Sequence, residues 1–312
     1  MITIKKPILA IAVMLSFAVI FSSCNKDDDN NANPETPKSI VDIAMGNEDF
    51  SILVDALVKA DLVDALQADG PFTVFAPTNA AFNDLFAALN VSGLDDLSAE
   101  ALRPILLYHV VGSEAKAAML NTGYIKSLNA LAPGDNNVSL YVEVSDKVML
   151  NGDSEVVNPD IEASNGVIHV INKVLVPPSI VDLAISNPNF STLVEAVLKA
   201  DLGNALGAEG PFTVFAPTND AFEALFEDLG VSGISDLSAE ALTPILLYHV
   251  VSGNVTSSMV STGMVPTLNE GAQLDVMVSE SGVMINGNTN VVVVDVQGTN
   301  GIIHAVDKVL LP

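Results

Sequence analysis

Residues Gly70 to Phe82, GPFTVFAPTNAAF, recur 140 residues later as Gly210 to Phe222, GPFTVFAPTNDAF. Twelve of these thirteen positions are identical. A block of this length does not recur by chance, so the 312-residue chain is a tandem duplication with room for about two domains of ordinary size.

The stretch itself predicts a strand that leads directly into a helix. Phe72 to Phe75 is a short apolar run with β-branched residues, which is typical of a buried strand. Pro77 cannot donate a ladder hydrogen bond, so the strand is expected to end near it. Asn79, or Thr78, is then suited to cap a helix that starts at Ala80.

The segments before and after this corner favour helices in the first half of the repeat. Ser39 with Asp42 three residues on is the signature of a capping box. Residues at helical spacing are predicted to form the buried faces of two helices. They are Phe50, Leu53, Val54, Leu57, Val58 and Leu62 before the corner, and Phe82, Leu85, Phe86 and Leu89 after it.

The second half of the repeat favours short strands. Ser98 is expected to cap a helix that Pro104 interrupts, with a strand from Tyr108 to Val111. Alternating apolar residues and Asn or Gly turns then predict further strands. These are Val138 to Val144, Val148 to Leu150, and Val167 to Ile171 after an Asn165-Gly166 turn.

The second repeat follows the same plan with one deletion. Its tail matches the first at an offset of 135 residues, so five residues are missing relative to the stretch between about Leu131 and Val148. Loops absorb deletions, so this edge of the sheet is expected to differ between the repeats. The repeats meet at Pro177-Pro178 without a flexible linker, which predicts a stiff joint.

The N-terminus predicts export and lipidation. Lys5 and Lys6 precede an apolar run, Ile8 to Phe21, that is too short for an ordinary membrane-spanning helix and fits a signal peptide over residues 1–23. Ser22 and Ser23 before the sole cysteine, Cys24, resemble a bacterial lipobox, although Phe21 stands where an aliphatic residue is usual. Plain secretion is the alternative.

Residues 24–38 are expected to form a lipidated, disordered tether, because they are polar and contain Pro34 and Pro37. The acidic run Asp27 to Asp29 resembles an export tag that sends lipoproteins to the outer face of the outer membrane. A solvated spacer is the other interpretation. We therefore expect an outer-membrane lipoprotein exposed at the cell surface and held to the membrane by its N-terminal lipid.

Charge and cysteine content exclude some functions. The formal net charge is −26, which repels phosphate backbones and makes nucleic acid a poor partner. A single cysteine allows no internal disulfide, so the domains are stabilised by packing.

Three segments together carry a resemblance to a known family. TVFAPTN with AF two residues on, ILLYHVV, and NGVIHVINKVLVP resemble the signature boxes of the fasciclin (FAS1, beta-Ig-H3) domain family, in order and in spacing. The resemblance implies an α+β fold of two domains, 39–177 and 178–312, each a β-wedge or sandwich with a small helical subdomain. It also implies a role in extracellular adhesion and matrix contact.

The resemblance also supplies candidate partner-binding residues. In some members a Tyr-His pair and a Pro-Asp-Ile motif take part in receptor binding, which points here to Tyr108 and His109, Tyr248 and His249, and Asn158-Pro159-Asp160-Ile161. The second repeat has Val294-Asp295-Val296 and lacks the proline, so the first domain is the better candidate. An ordinary strand-connecting turn is the alternative for the Asn-Pro-Asp segment.

The histidines favour structure over catalysis. All four lie at repeated positions, His109 with His249 and His169 with His304, and a folding device is duplicated with its fold whereas a catalytic centre seldom is. A catalytic or metal-binding role for these histidines is the alternative.

No nucleophile elbow, phosphate-binding loop or zinc motif is present in the sequence, so we expect no enzyme, no metal and no cofactor. The favoured function is adhesion to a matrix protein, a cell-surface receptor or a polysaccharide. A surface binding protein for a glycan or small ligand is the alternative.

Overall fold

The computed structural model describes residues 37–312 of the chain. The predicted signal peptide, the lipidation site Cys24 and the tether up to residue 36 lie outside these residues. Between residues 37 and 312, no helix is long and apolar enough to cross a membrane.

The first repeat has its helices mainly in its first half and its strands mainly in its second. The helices are α1 (Ile40–Met45), α2 (Ser51–Lys59), α3 (Val63–Gln67), α4 (Asn79–Leu89) and α5 (Ala99–Tyr108), with 3₁₀ turns at Glu48–Phe50, Leu94–Asp96 and Ala117–Met119. The strands are β1 (Phe72–Pro77), β2 (Val110–Val111), β3 (Gly123–Lys126), β4 (Ser139–Val144), β5 (Val148–Leu150), β6 (Ser154–Ala163) and β7 (Gly166–Ile171).

The second repeat has the same order of elements. Its helices are α6 (Ile180–Ser186), α7 (Ser191–Lys199), α8 (Gly203–Gly207), α9 (Asn219–Leu229) and α10 (Ala239–Tyr248), with 3₁₀ turns at Pro188–Phe190 and Ile234–Asp236. Its strands are β8 (Phe212–Pro217), β9 (Val250–Ser252), β10 (Gly263–Pro266), β11 (Gln273–Ser279), β12 (Gly282–Ile285), β13 (Thr289–Gly298) and β14 (Gly301–Val306).

Each repeat builds one seven-stranded sheet, which confirms the α+β class. The strand orders are β2-β1-β7-β6-β5-β4-β3 and β10-β11-β12-β13-β14-β8-β9. The central pairs β1–β7 and β8–β14 are parallel, and the other pairs are antiparallel. Helices cover one face of the central pair, where Phe82, Leu106 and Ile168 are buried together. A second core around Tyr108, Leu140 and Ile171 fills the other side of the sheet.

The strand–helix corner forms as expected, with Thr78, the second of the two predicted candidates, as the cap. The side-chain oxygen of Thr78 accepts a hydrogen bond from the Ala81 amide at 3.3 Å, so Thr78 is the N-cap and α4 begins at Asn79. Asn79 as the cap was wrong: its carbonyl oxygen accepts from the Ile52 amide at 2.9 Å and ties α4 to α2. Val58 and Leu89, expected in the core, are 61% and 47% exposed, because each lies beyond the covered face of its helix.

The predicted break at Pro104 was also wrong. α5 runs through Pro104 to Tyr108, and only Val110–Val111 forms a strand. A mid-helix proline costs about 3 kcal/mol. Packing compensates for this cost, because Leu102 and Leu106 are buried in one core and Tyr108 in the other, each at most 2% exposed.

The sheet edge differs between the repeats, as the deletion predicted. Residues 127–138 join β3 to β4, and the shorter segment 267–272 joins β10 to β11. The longer loop lies against the second repeat, where the Asn254 side-chain amide donates to the Pro133 carbonyl at 2.9 Å.

Further contacts join the two repeats beyond the Pro177-Pro178 joint. The Asn187 side-chain amide donates to the Tyr124 hydroxyl at 3.0 Å, and the Gln297 backbone amide donates to Ser139 Oγ at 2.9 Å. Gln297 is 2% exposed. The outer face of β3 and β4 therefore packs against α6 and β13 of the following repeat.

Candidate functional site

Tyr108 is a buried connector between the helices and the sheet. Its hydroxyl donates to the Ser139 carbonyl at 2.8 Å and accepts from the Asn151 side-chain amide at 2.9 Å. The ring is fully buried, and burial raises the pKa of the phenol. Tyr248 makes the same two bonds, to the Gln273 carbonyl and from Asn286. Neither hydroxyl is free to face a partner, because both of its hydrogen bonds are made inside the domain.

His109 follows α5 as its C-cap and is also buried. Its Nδ1 lies 2.8 Å from the Ile105 carbonyl, and its Nε2 lies 2.9 Å from the Leu175 amide. The amide is a donor, so Nε2 accepts and Nδ1 carries the proton. Burial lowers the pKa of His109 to about 4, so the ring is neutral at pH 7.

His249 repeats this arrangement with the Ile245 carbonyl and the Leu310 amide, and burial also lowers its pKa to about 4. Both nitrogens of each ring are thus engaged by backbone groups. The rings fasten the end of a helix to the segment after the last strand of the repeat.

The second histidine of each repeat holds the aspartate segment in place, Pro-Asp-Ile in the first repeat and Val-Asp-Val in the second. His169 is fully buried, stacks on Phe75 with ring centroids 5.5 Å apart, and bonds to the Ala115 carbonyl at 2.8 Å. Its Nδ1 accepts from the Asp160 amide at 3.2 Å. His304 makes the equivalent contacts, with the Val255 carbonyl and the Asp295 amide.

Asn158 to Ile161 lies in a bulge inside β6 and does not connect two strands as a turn would. The pairing of β6 with β7 shifts on either side of Asn158. Asp160 has a φ of 61°, in the left-handed region that Asp tolerates. Its Oδ1 accepts from the Ala117 amide at 2.8 Å, and Asp295 does the same for Ser257 at 2.7 Å. The aspartate therefore supports the adjacent loop in both repeats.

The accessible part of this region is a surface that we call the bulge rim: Asn158 and Pro159, with Lys116, Met119 and Glu162 beside them. All of these residues except Lys116 have exposed side chains, and Met119 is 62% exposed. Lys116 Nζ bonds to Glu162 at 2.6 Å, with 42% of the Lys116 side chain exposed. The sequence pointed to Asn158 and Pro159 but not to their three neighbours, because only the fold brings 116–119 to β6.

The structure therefore separates the candidate residues into two groups. Asn158, Pro159 and part of Asp160 reach the surface, whereas Ile161 is half-buried against the core. Tyr108 and His109 lie beneath the surface, as do Tyr248 and His249. Direct partner contact by these four residues stays a prediction.

A second candidate site, missed by sequence reasoning, is the cleft between the repeats. It has a volume of about 470 Å³ and is lined by Tyr124, Lys126, Asn187, Asn189 and Asp295, among others. Val293 and Val294, the counterparts of Asn158 and Pro159, also line it. No sequence pattern marks this cleft, because its walls come from segments about 60 to 170 residues apart.

Among residues 37–312, no group of three or more His, Cys, Asp or Glu side chains is placed to hold a metal ion.

The fasciclin domain family matches residues 48–177 and 188–312. Protein sll1483 of Synechocystis is 48% identical over 134 residues, which are 43% of this chain and 73% of that protein. Periostin of Homo sapiens is 29% identical over 255 residues, or 80% of this chain and 29% of periostin. Transforming growth factor-beta-induced protein ig-h3 of Sus scrofa is 30% identical over 249 residues, or 79% of this chain and 35% of that protein.

Among solved structures, a FAS1 domain pair from the insect cell adhesion molecule Fasciclin I is similar, with a TM-score of 0.49 and 22% identity, over 83% of this chain and 95% of that one. The two family matches each cover one repeat, and together they span most of the chain. The chain therefore belongs to the fasciclin family and carries its domain twice in tandem.

Proposed function

We propose that this protein is a non-catalytic cell-surface lipoprotein that adheres to a matrix protein, a receptor or a polysaccharide through the bulge rim. The observation that carries the proposal is the exposure of Asn158 and Pro159 on a bulge held from beneath by Asp160 and His169. β-Bulges are over-represented beside functional sites, where they redirect a side chain.

The absence of catalysis is part of the proposal. A general base needs a nitrogen or oxygen free to take a proton from a substrate. The histidines of the Tyr-His pairs direct both ring nitrogens to backbone groups, and burial keeps them neutral. The same arrangement occurs in both repeats, which supports a scaffolding role.

The binding proposal is tested on an array of matrix proteins and polysaccharides. The variant Asn158→Ala/Pro159→Ala removes the exposed side chains of the rim and keeps Asp160. We expect at least a tenfold loss of binding with an unchanged melting temperature. The comparison variant is Val293→Ala/Val294→Ala at the equivalent positions of the second repeat, which should bind normally if the rim is the site; loss of binding would instead implicate the cleft that these side chains line. Full binding by the rim variant would contradict the proposal.

The location is proposed from the N-terminal sequence, with lipid on Cys24 and display on the outer face of the outer membrane. Each buried CH₂ of an acyl chain adds roughly 0.8 kcal/mol of membrane affinity, so more than one chain anchors a protein firmly. Mass spectrometry of the mature N-terminus should find acylated Cys24, and Cys24→Ser should release the protein from membranes. External protease should remove it from intact cells. An unmodified Cys24 would contradict the anchor.

A second candidate function is binding of a glycan or small polar ligand in the cleft between the repeats. The supporting observation is its mixed lining, with the amides of Asn187 and Asn189, the Lys126 ammonium and the Tyr124 ring around one cavity. On a glycan array, Lys126→Ala/Asn189→Ala should lose binding that the rim variant keeps. The opposite pattern would assign binding to the rim.

A further inference from the structure

The second repeat contains an apolar pocket beneath α8 that the proposed function does not use. It lies among α6, α7, α8, α10 and the central strands. Ile185 and Leu198 form its rim and are 57% and 64% exposed. Its floor includes Ala216 and Ile303, both at most 1% exposed. The pocket therefore leads from the surface to the core.

The first repeat has the same elements but a smaller cavity. The volumes are about 50 Å³ in the second repeat and about 20 Å³ in the first. Leu57 in the first repeat corresponds to Val197 in the wall of the larger pocket, which is one methylene smaller. Val63 corresponds to Gly203, where an added Cβ would lie 3.7 Å from Leu198 Cδ2 at the rim. The smaller residues Val197 and Gly203 favour the more open pocket, and the one larger residue, Leu198 in place of Val58, lies at its rim.

The segment that covers the pocket is also weaker in the second repeat. α8 reads GNALG, whereas its counterpart α3 reads VDALQ. Gly203 and Gly207 begin and end α8 and restrict the backbone less than Val63 and Gln67 of α3, so α8 opens more easily than α3. Leu206 of α8 lines the pocket, so movement of α8 widens it.

The chemistry of the lining selects the ligand. Every lining side chain is a hydrocarbon except His249, and both nitrogens of His249 are already bonded to the Ile245 carbonyl and the Leu310 amide. A peptide or a sugar would bury polar groups there without partners, at a cost of roughly 1–3 kcal/mol each. An alkyl chain carries no such groups. At about 10–15 Å³ for each water-sized atom, the closed pocket admits about four carbons, which fits the end of a chain and excludes a fused ring system.

We infer that the second repeat binds the end of a linear alkyl chain in this pocket, between α8 and the core. The polar head of the ligand stays at the rim, beside Ile185 and Leu198. The first repeat does not bind such a chain, because Leu57 and Val63 occupy the equivalent space.

The test is a titration of the purified protein, labelled on its Ile, Leu and Val methyl groups, with n-octanol followed by NMR. Saturable shifts are expected for Val197, Leu198 and Leu206, with none for their first-repeat counterparts Leu57, Val58 and Leu66. Val197→Leu/Gly203→Val installs the residues of the first repeat and should weaken binding at least tenfold. No saturable shift up to the solubility of n-octanol, or unchanged affinity in this variant, would overturn the inference.

The reciprocal variant Leu57→Val/Val63→Gly keeps the test decisive if the filled variant does not fold. It should create a second set of saturable shifts, now in the first repeat, and failure to do so counts against the inference. Glucose is the specificity control, because an apolar pocket should give no shift with it. Equal shifts from glucose and n-octanol would also overturn the alkyl assignment.

Discussion

At the scale of single residues, polar side chains act as fasteners of the backbone. Asn165 accepts from the Ile40 amide at 3.0 Å and donates to the Leu66 and Ala68 carbonyls, so one amide joins α1, α3 and β7. Asn300 makes the same three bonds in the second repeat. The buried histidines work in the same way. Each of these side chains satisfies buried backbone groups that no regular element reaches.

The first prediction concerns the His109 fastener. His109→Ala should destabilise the first domain by roughly 2–4 kcal/mol, because it leaves a cavity and strands the Leu175 amide and the Ile105 carbonyl. Urea unfolding monitored separately in each domain measures the loss. His249→Ala is the matched control and should destabilise the second domain instead of the first. Normal stability together with lost ligand binding would show that His109 contacts a partner.

The second prediction concerns pH. The folded pKa of His109 and of His249 is about 4, below the ordinary value of 6.5, so the folded state favours the neutral ring. Their contribution is fully present above pH 6.5 and is lost as the pH falls to 4, by roughly 3 kcal/mol for each histidine. Unfolding free energies at pH 7, 5.5 and 4 measure this slope. A flat profile would mean that the rings are already protonated or exposed.

At the scale of elements, the close approach of β1 and β7 depends on glycine. Gly166 begins β7 opposite Phe72, and a Cβ on Gly166 would overlap the Phe72 carbonyl oxygen. Gly301 stands in the same relation to Phe212 in the second repeat. The first residue of β7, and likewise of β14, therefore tolerates no side chain.

The third prediction follows from this contact. Gly166→Ala should destabilise the first domain by at least about 3 kcal/mol, because backbone must move to relieve the overlap. Thermal or urea unfolding gives the change. Gly93→Ala is the control, since a Cβ there meets nothing within 4 Å and the backbone is extended. Equal stability of the two variants would show that the strands can separate at little cost.

The fourth prediction concerns α5, which continues through Pro104. Pro104→Ala restores an amide donor and removes the ring clash, so it should stabilise the domain by about 1–2 kcal/mol. The Asn129 side chain donates to the carbonyl of residue 104 at 2.6 Å, and this bond is kept. Denaturant midpoints measure the gain. A loss of stability would mean that proline restricts the unfolded chain more than it strains the helix.

At the scale of the whole molecule, the differences between the repeats follow the contact between them. Glu162 is exposed in the first repeat, and its counterpart Gln297 is 2% exposed against Ser139. Tyr124 of β3 packs against the second repeat, and its counterpart Met264 is 60% exposed. The buried position at the junction therefore carries the uncharged Gln297. The aromatic pair of Tyr124 and Tyr141 adds buried apolar surface at the same junction.

The fifth prediction tests this junction. Gln297→Glu introduces the residue of the first repeat at a buried site, where the side-chain amide atoms of Gln297 have no partner among residues 37–312. An unpaired buried carboxylate should cost about 3–5 kcal/mol at pH 7 and less at pH 4, where it is protonated. Calorimetry should show the two domains melting apart. Glu162→Gln, the reverse change on the exposed side, should alter stability by less than about 1 kcal/mol; a comparable effect of the two changes would contradict the account of the junction.

The sequence alone determined the features that depend on neighbouring residues. The duplication, the capping boxes at Ser39 and Ser179, the strand before Pro77 and the helix after it are all local patterns, because caps and periodicity act within a few positions. The structural role of the four histidines was also predicted from the sequence, because each occurs at the same position in both repeats.

The places where distant segments meet depend on packing across the whole fold. Packing of Leu102 and Leu106 carries α5 through Pro104, and the loop that holds Ala117 places Asp160 in a bulge. The bulge rim, the cleft between the repeats and the pocket under α8 each combine side chains from separate elements. These three sites form by contact between residues that are far apart in the chain, and no local sequence pattern encodes such contacts.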